Sequence, residues 1–201
     1  MKIEKMSSRD KILSAIAANQ PHLSDLPDLG FLKGDGINVV EKFIETLTNI
    51  GGKVIAITGF DEVTAYVKLN TGSSNRVVSL VPELSDVLGT IANIADLPHA
   101  LQDVELAILR ADLGIAENGA IWLNESRLGQ RVTPFICQHL AVVLNKESIV
   151  PTMHEAYQKI GDEKYGFATF IAGPSKTADI EQSLVLGAHG SRTMTVFLLD
   201  N

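Results

Sequence analysis

Four polar residues, Ser175, Lys176, Thr177 and Asp179, follow Gly173-Pro174 in a chain of 201 residues. An ammonium and two hydroxyls at this spacing suit the capture of a small carboxylate or phosphate. The sequence places them where a strand hands over to a helix. Phe167 to Ala172 is an apolar run of strand type, which Gly173-Pro174-Ser175 stops. Ile180, Leu184 and Val185 then recur at helical spacing, and Thr193 to Leu199 is a second apolar, β-branched run. Tyr165 to Asp200 is therefore expected to be a parallel βαβ unit. The amino end of its helix would offer unpaired N–H groups and a partial positive charge to an anion. On spacing alone, Ser175 or Thr177 reads better as an N-cap and Asp179 as a first-turn acid. The stretch is neither a Walker loop nor GxGxxG.

His189 stands between Gly187 and Gly190. The flanking glycines let a backbone approach a ligand, and an imidazole can act as acid or base near neutral pH. A turn histidine with one backbone bond is an equal reading. Glu117 precedes the turn dipeptide Asn118-Gly119, and a single glutamate at such a turn is more often solvent-facing and inert. Arg127 and Arg131 could clamp a carboxylate, although solvated loop charges are the commoner case. Among the histidines 22, 99, 139, 154 and 189 no pair has the i, i+4 spacing of a zinc site. The single cysteine, Cys137, excludes an internal disulfide and a cysteine-held cluster. No metal or cofactor is expected.

Three segments carry a resemblance. GPSKTADIE with LVLGAHG and a closing apolar strand is similar to the C-terminal signature of the LUD family of bacterial lactate utilization proteins. ADLGIAENGAIWL, residues 111–123, resembles that family's alanine-rich segment, with Asn118 where Thr is commoner. Pro134, His139 and Val142-Val143 resemble its approach to a buried strand. The likeness covers roughly the C-terminal half. It implies a NagB/RpiA/CoA-transferase-like fold and a part in the oxidation of L-lactate to pyruvate with iron–sulfur partner subunits. Glu-Asn-Gly also resembles the glutamate segment of the family I CoA-transferases, which would make Glu117 a nucleophile in a stand-alone acyl- or CoA-transferase-like, or sugar-phosphate, enzyme.

The elements that must position these residues are legible along the chain. Ser7 or Ser8 can cap a first helix with Ile12, Leu13 and Ile16 on one stripe, ending before Pro21. Residues 23–36 mix prolines and glycines with Leu23, Leu26, Leu29, Phe31 and Leu32, and read as an irregular arm; alternatively, residues 1–35 dock on a partner chain. Helices are expected at 37–50 and from Asp61, strands at 53–58, 76–81, 104–109, 120–123 and 140–144. A helix over 84–94 is a weaker reading. A short helix should begin at Asp112, between Gly114 and Gly119, and another near Met153 with Ala156, Tyr157 and Ile160 inward. Alternation of helix and strand predicts an α/β fold, a mainly parallel sheet with helices on both faces.

Hydrophobic content of 45% and 201 residues suit one globular domain, with residues 1–36 as an N-terminal helix and arm. The formal charge of −7, with no basic cluster, argues against nucleic acid. No apolar run has the length of a membrane span, and the charged first residues are unlike a signal peptide, so a cytoplasmic protein is expected. Homo-oligomer formation is left open. In parallel sheets ligands sit at the carboxyl ends of strands. Glu117, Gly119, Gly173, Ser175, Lys176, Thr177 and His189 are accordingly expected to line one pocket for a small anion. Asp179, Gly187 and Gly190 would flank it.

Overall fold

The computed structural model describes residues 7–25, 27–32, 34, 36–88, 98–180 and 183–200. The chain forms two compact units, Met1–Phe31 and Leu32–Asn201. In the first, helix α1 (Ser8–Ala18) starts as expected. The Ser7 hydroxyl accepts from the Asp10 N–H at 3.2 Å, and the Asp10 carboxylate accepts in return from the Ser7 N–H, a capping box. The stripe of Ile12, Leu13 and Ile16 is exposed.

The second unit begins with α2 (Val39–Asn49), β1 (Lys53–Ile57), α3 (Phe60–Asn70), β2 (Arg76–Ser79) and the short α4 (Ser85–Leu88). The weaker helix expected over 84–94 meets α4 only at its start, and Ile91 and Ile94 lie outside the described residues. Next come β3 (Val104–Arg110), β4 (Leu113–Ile115), β5 (Ala120–Asn124), α5 (Thr133–Ile136), β6 (His139–Asn145), β7 (Ile149–Val150) and α6 (Met153–Ile160). The chain continues through β8 (Ala168–Ile171), β9 (Lys176–Ile180), β10 (Ser183–Leu186) and β11 (Thr193–Leu199).

Five strands make a wholly parallel sheet in the order β1-β11-β6-β3-β2. Its central strands are continuous apolar runs because both faces are covered. On one face α3 and Leu84 bury Ile108, Ala141, Val143 and Phe197. On the other, Phe43 and Leu47 of α2 and Ile121 and Leu123 of β5 bury Leu109, Val142, Leu144 and Val196. Helices thus lie on both faces, as the sequence predicts. A second sheet of order β7-β4-β5-β8, mostly antiparallel, shares the α2 side.

Helix α2 follows from its sequence at both ends. Asn38 accepts from the Glu41 N–H at 3.3 Å. At the other end Gly51 takes φ 92°. The N–H groups of Gly51 and Gly52 reach the carbonyls of Thr48 and Leu47, each at 2.9 Å, in a Schellman stop.

Three expectations are corrected. Residues 165–200 do not form a βαβ unit. β8 pairs antiparallel with β5, β9 and β10 form an antiparallel hairpin where a helix was expected, and only β11 joins the parallel sheet. Asp112 starts no helix, since Leu113–Ile115 pair with β5 and residues 116–119 are turn. Tyr157 of α6 faces outward, with its ring edge against Phe170 at 5.6 Å.

Leu47 is fully buried between the two sheets. Leu47→Ala is expected to destabilise the fold by about 2–5 kcal/mol. Urea denaturation would measure this, and a loss under about 1 kcal/mol would contradict the packing described.

Candidate functional site

Gly173-Pro174-Ser175 leaves β8 and enters the β9–β10 hairpin. The base of the hairpin is tied to the approach of β11. The Ser175 N–H donates to the Ser191 carbonyl at 2.9 Å, and the Ser175 carbonyl accepts from the Gly187 N–H at 3.1 Å. With its backbone committed to these bonds, Ser175 cannot begin a helix. The proposed helix-dipole component of anion binding is therefore absent, and any charge attraction must come from side chains.

The same segments open a pocket of about 300 Å³. Its polar rim carries Ser175, Lys176, His189 and Ser191, and its other wall is Pro134, Phe135, Phe170, Ile171 and Pro174. Gly173 and Gly190 also line it. Five of the expected site residues thus come together. Their setting differs from the expectation: the pocket lies on the amino side of β6 and β11. The carboxyl side of the sheet carries the ion pairs Arg110–Glu83, at 2.7 Å, and Lys146–Asp200. Phe135, Phe170 and Ser191 were not singled out from sequence. Only the preference of aromatic rings for pocket walls could have flagged the first two.

The Lys176 ammonium donates to the carbonyl of Ile50, the C-cap of α2, where the helix dipole is negative. One of its three N–H donors is used there, and two remain for a ligand or water. His189 is exposed at the rim. Thr177 and the backbone of Asp179 lie in β9, paired with β10, and Thr177 is not part of the pocket wall. The side chain of Asp179 lies outside the described residues. Gly187 has φ 79° and abuts Arg192. It serves the hairpin base.

Glu117 has a different place. Its carboxylate accepts from the Met153 N–H at 2.8 Å, so it helps Thr152 cap α6. It does not line the pocket of Ser175 and His189. Gly119 has φ 69°, and a Cβ there would stand 2.9 Å from Cα of Leu47. A Cβ on Gly173, φ 72°, would stand 3.1 Å from the Ile50 carbonyl oxygen. Both glycines therefore let the chain pack onto the end of α2. Asn118 accepts from the Ala120 N–H at 3.0 Å and closes its own turn.

Arg127 pairs with Asp112 at 3.2 Å and Arg131 with Glu125 at 2.7 Å, so both are held by neighbours in the chain. The Gly166 N–H first, and Arg131 after it, hold the Glu125 carboxyl below its ordinary 4.5. Burial pushes the Cys137 thiol up to about 12. Among the described residues no three His, Cys, Asp or Glu side chains gather to hold a metal ion. No helix among them is long and apolar enough to cross a membrane.

Comparison with known proteins finds one family model, two relatives and one solved structure of note. The model of the LUD domain matches residues 40–199. Lactate utilization protein C of Oceanobacillus iheyensis is 30% identical over 105 residues, covering 49% of this chain and 45% of that protein. Lactate utilization protein C of a Geobacillus species is 26% identical over 202 residues, covering 96% and 79%. The chain spans about half the length of most of the curated relatives it matches. A crystal structure of a DUF162 family protein from Deinococcus radiodurans superimposes with a TM-score of 0.62 at 18% identity, over 81% of this chain and 96% of that one. At that identity the likeness speaks for the fold alone.

Two outcomes follow from the local roles. Glu117→Ala removes a side-chain acceptor at a helix start and should cost about 0.5–2 kcal/mol of stability, measured by thermal melting. An unchanged melting temperature would deny the capping role. Burial, which raises the Cys137 thiol to about 12, leaves it overwhelmingly protonated at pH 8. The native chain should therefore resist iodoacetamide and react once unfolded. Rapid alkylation of the native protein would contradict the burial.

Proposed function

The chain belongs to the LUD domain family, and on that premise we propose that it serves in lactate utilization as a C-type subunit. It would act in the oxidation of L-lactate to pyruvate beside iron–sulfur partner proteins. The observation that carries this reading is the series of relatives named lactate utilization protein C, one of which matches along 96% of the chain. A role without redox centres of its own suits a sequence with one cysteine, which is buried and held as thiol.

Within that role, the pocket of Ser175, Lys176, His189 and Ser191 would hold a small carboxylate. Two free N–H donors of Lys176 and the hydroxyls face a wall of proline and phenylalanine. That combination fits a short acid with an apolar end. Lys176 would supply charge, and His189 a donor or a proton. A transferase using Glu117 as nucleophile receives no such support, because that carboxylate already caps α6.

The test is a thermal-shift titration of the purified chain with L-lactate and pyruvate, with acetate as control. A ligand that binds only the folded state stabilises it by about 2.7 kcal/mol at a hundredfold excess over Kd. Wild type should gain in Tm, with affinity reduced at least tenfold in Lys176→Ala. Equal shifts in wild type and variant, or none in either, would remove the carboxylate pocket. The role in lactate utilization is tested separately by deletion of the gene: normal growth on lactate, with no second copy present, would sink it.

A further inference from the structure

A second pocket, of about 190 Å³, opens between the carboxyl end of α3 and the first residues of β6 and β11. Tyr66, Asn70 and Thr71 form one side. His139, Thr193 and Thr195 form the other, over Leu106 and Leu140. The parallel register sets Thr193 directly beside His139 and Leu106 on its other flank, which brings Glu105 within reach. The result is a chain of three side chains. His139 Nδ1 lies 2.7 Å from Thr193 Oγ1, and His139 Nε2 lies 3.5 Å from Glu105 Oε1.

Placing the ring proton on Nε2, toward Glu105, leaves a lone pair on Nδ1 that accepts the Thr193 hydroxyl proton. A hydroxyl bonded to a base, with the base turned by a carboxylate, is the arrangement that activates an oxygen nucleophile. Thr193 is exposed, so a substrate carbonyl can reach it. The Tyr66 hydroxyl, 3.4 Å from Thr195 Oγ1, is a further polar group of the same pocket, beside Asn70 and Thr71. The volume admits about six groups of water size, taking about 30 Å³ for each.

We propose that Thr193 is an activated nucleophile for acyl transfer from small esters or thioesters. Its Oγ1 attacks the carbonyl carbon while its proton passes to His139 Nδ1. The Tyr66 O–H donates to the oxygen that becomes negative. The alkoxide or thiolate then leaves with the proton from His139, and the acyl group remains as an ester of Thr193. Water, deprotonated by His139, hydrolyses it and returns the hydroxyl. His139 is the base and Glu105 a positioning residue. Catalytic hydrogen bonds tighten around bound substrate, which would bring the 3.5 Å His139–Glu105 separation to bonding length. None of these residues belongs to the carboxylate pocket, so the two readings stand or fall separately.

The probe is p-nitrophenyl acetate with the intact chain, read by release of nitrophenolate and by peptide mass spectrometry. Wild type should be acetylated at Thr193. Thr193→Ala should lose that label, and Thr193→Ser should regain it. His139→Gln should slow it by about a hundredfold or more, the scale of a lost general base. Tyr66→Phe, which keeps the ring packed edge-on against Phe197, should also slow it. Glu105→Gln should displace the pH–rate profile, which is read against the other ionisable neighbours, Lys53 over the Tyr66 ring and Tyr66 itself. Circular dichroism confirms that each variant is folded. An unlabelled Thr193 in wild type, acetylation confined to lysines, or equal rates in wild type and folded His139→Gln overturns the proposal.

Discussion

The carboxyl-terminal end of α2 is the point on which this structure closes. The helix lies between the parallel sheet and the second sheet, so the chain must approach it closely from several directions. Phe43 and Leu47 are fully buried there. A Cβ on Gly119 would meet the Leu47 backbone, and one on Gly173 would meet the Ile50 carbonyl. Lys176 then binds that same carbonyl. Interiors this dense transmit small displacements. Moving the end of α2 would shift the 116–119 turn, the exit of β8 and the base of the hairpin together, and with them the rim of the pocket that Ser175 and Lys176 line.

That constraint explains what the sequence could and could not reveal. The parallel strands were legible because continuous apolar runs such as Leu140 to Leu144 have few other homes. Helix α2 was legible because Val40, Phe43, Ile44 and Leu47 fall on one stripe ended by Gly51-Gly52. The hairpin was not. Ile180, Leu184 and Val185 fit helical spacing, but so short a window does not exclude strands. What decides the matter is distant in sequence: Ser175 bonds to Ser191 and Gly187. Glycines 119 and 173 read from the sequence as turn residues lining a pocket; both take positive φ and pack onto the end of α2, and of the two only Gly173 lines the pocket of Ser175. Tyr157 sat on the expected stripe of α6, yet it packs edge-on against Phe170 at the surface.

The position of the pocket follows from the same topology. In a parallel sheet the loops after the strands usually carry the chemistry. Here those positions lead into ion pairs and the start of α3, where Glu62 accepts from the Thr58 N–H at 2.7 Å. The polar residues gather instead before β6 and β11, because the hairpin hangs from the second sheet and is tied to residue 191. Analogy from sheet type alone would have searched the opposite edge.

The place of β11 has a consequence for biosynthesis. It is the latest of the five parallel strands in sequence, yet it sits between β1 and β6. A ribosome makes about 5–20 residues per second, amino end first. While the nascent chain lengthens, β1 has no neighbour in this sheet and β6 has an open edge. Both are exposed templates for pairing with other chains. The sheet can close only after residue 199 has left the exit tunnel, so this unit must fold after translation of nearly all of it.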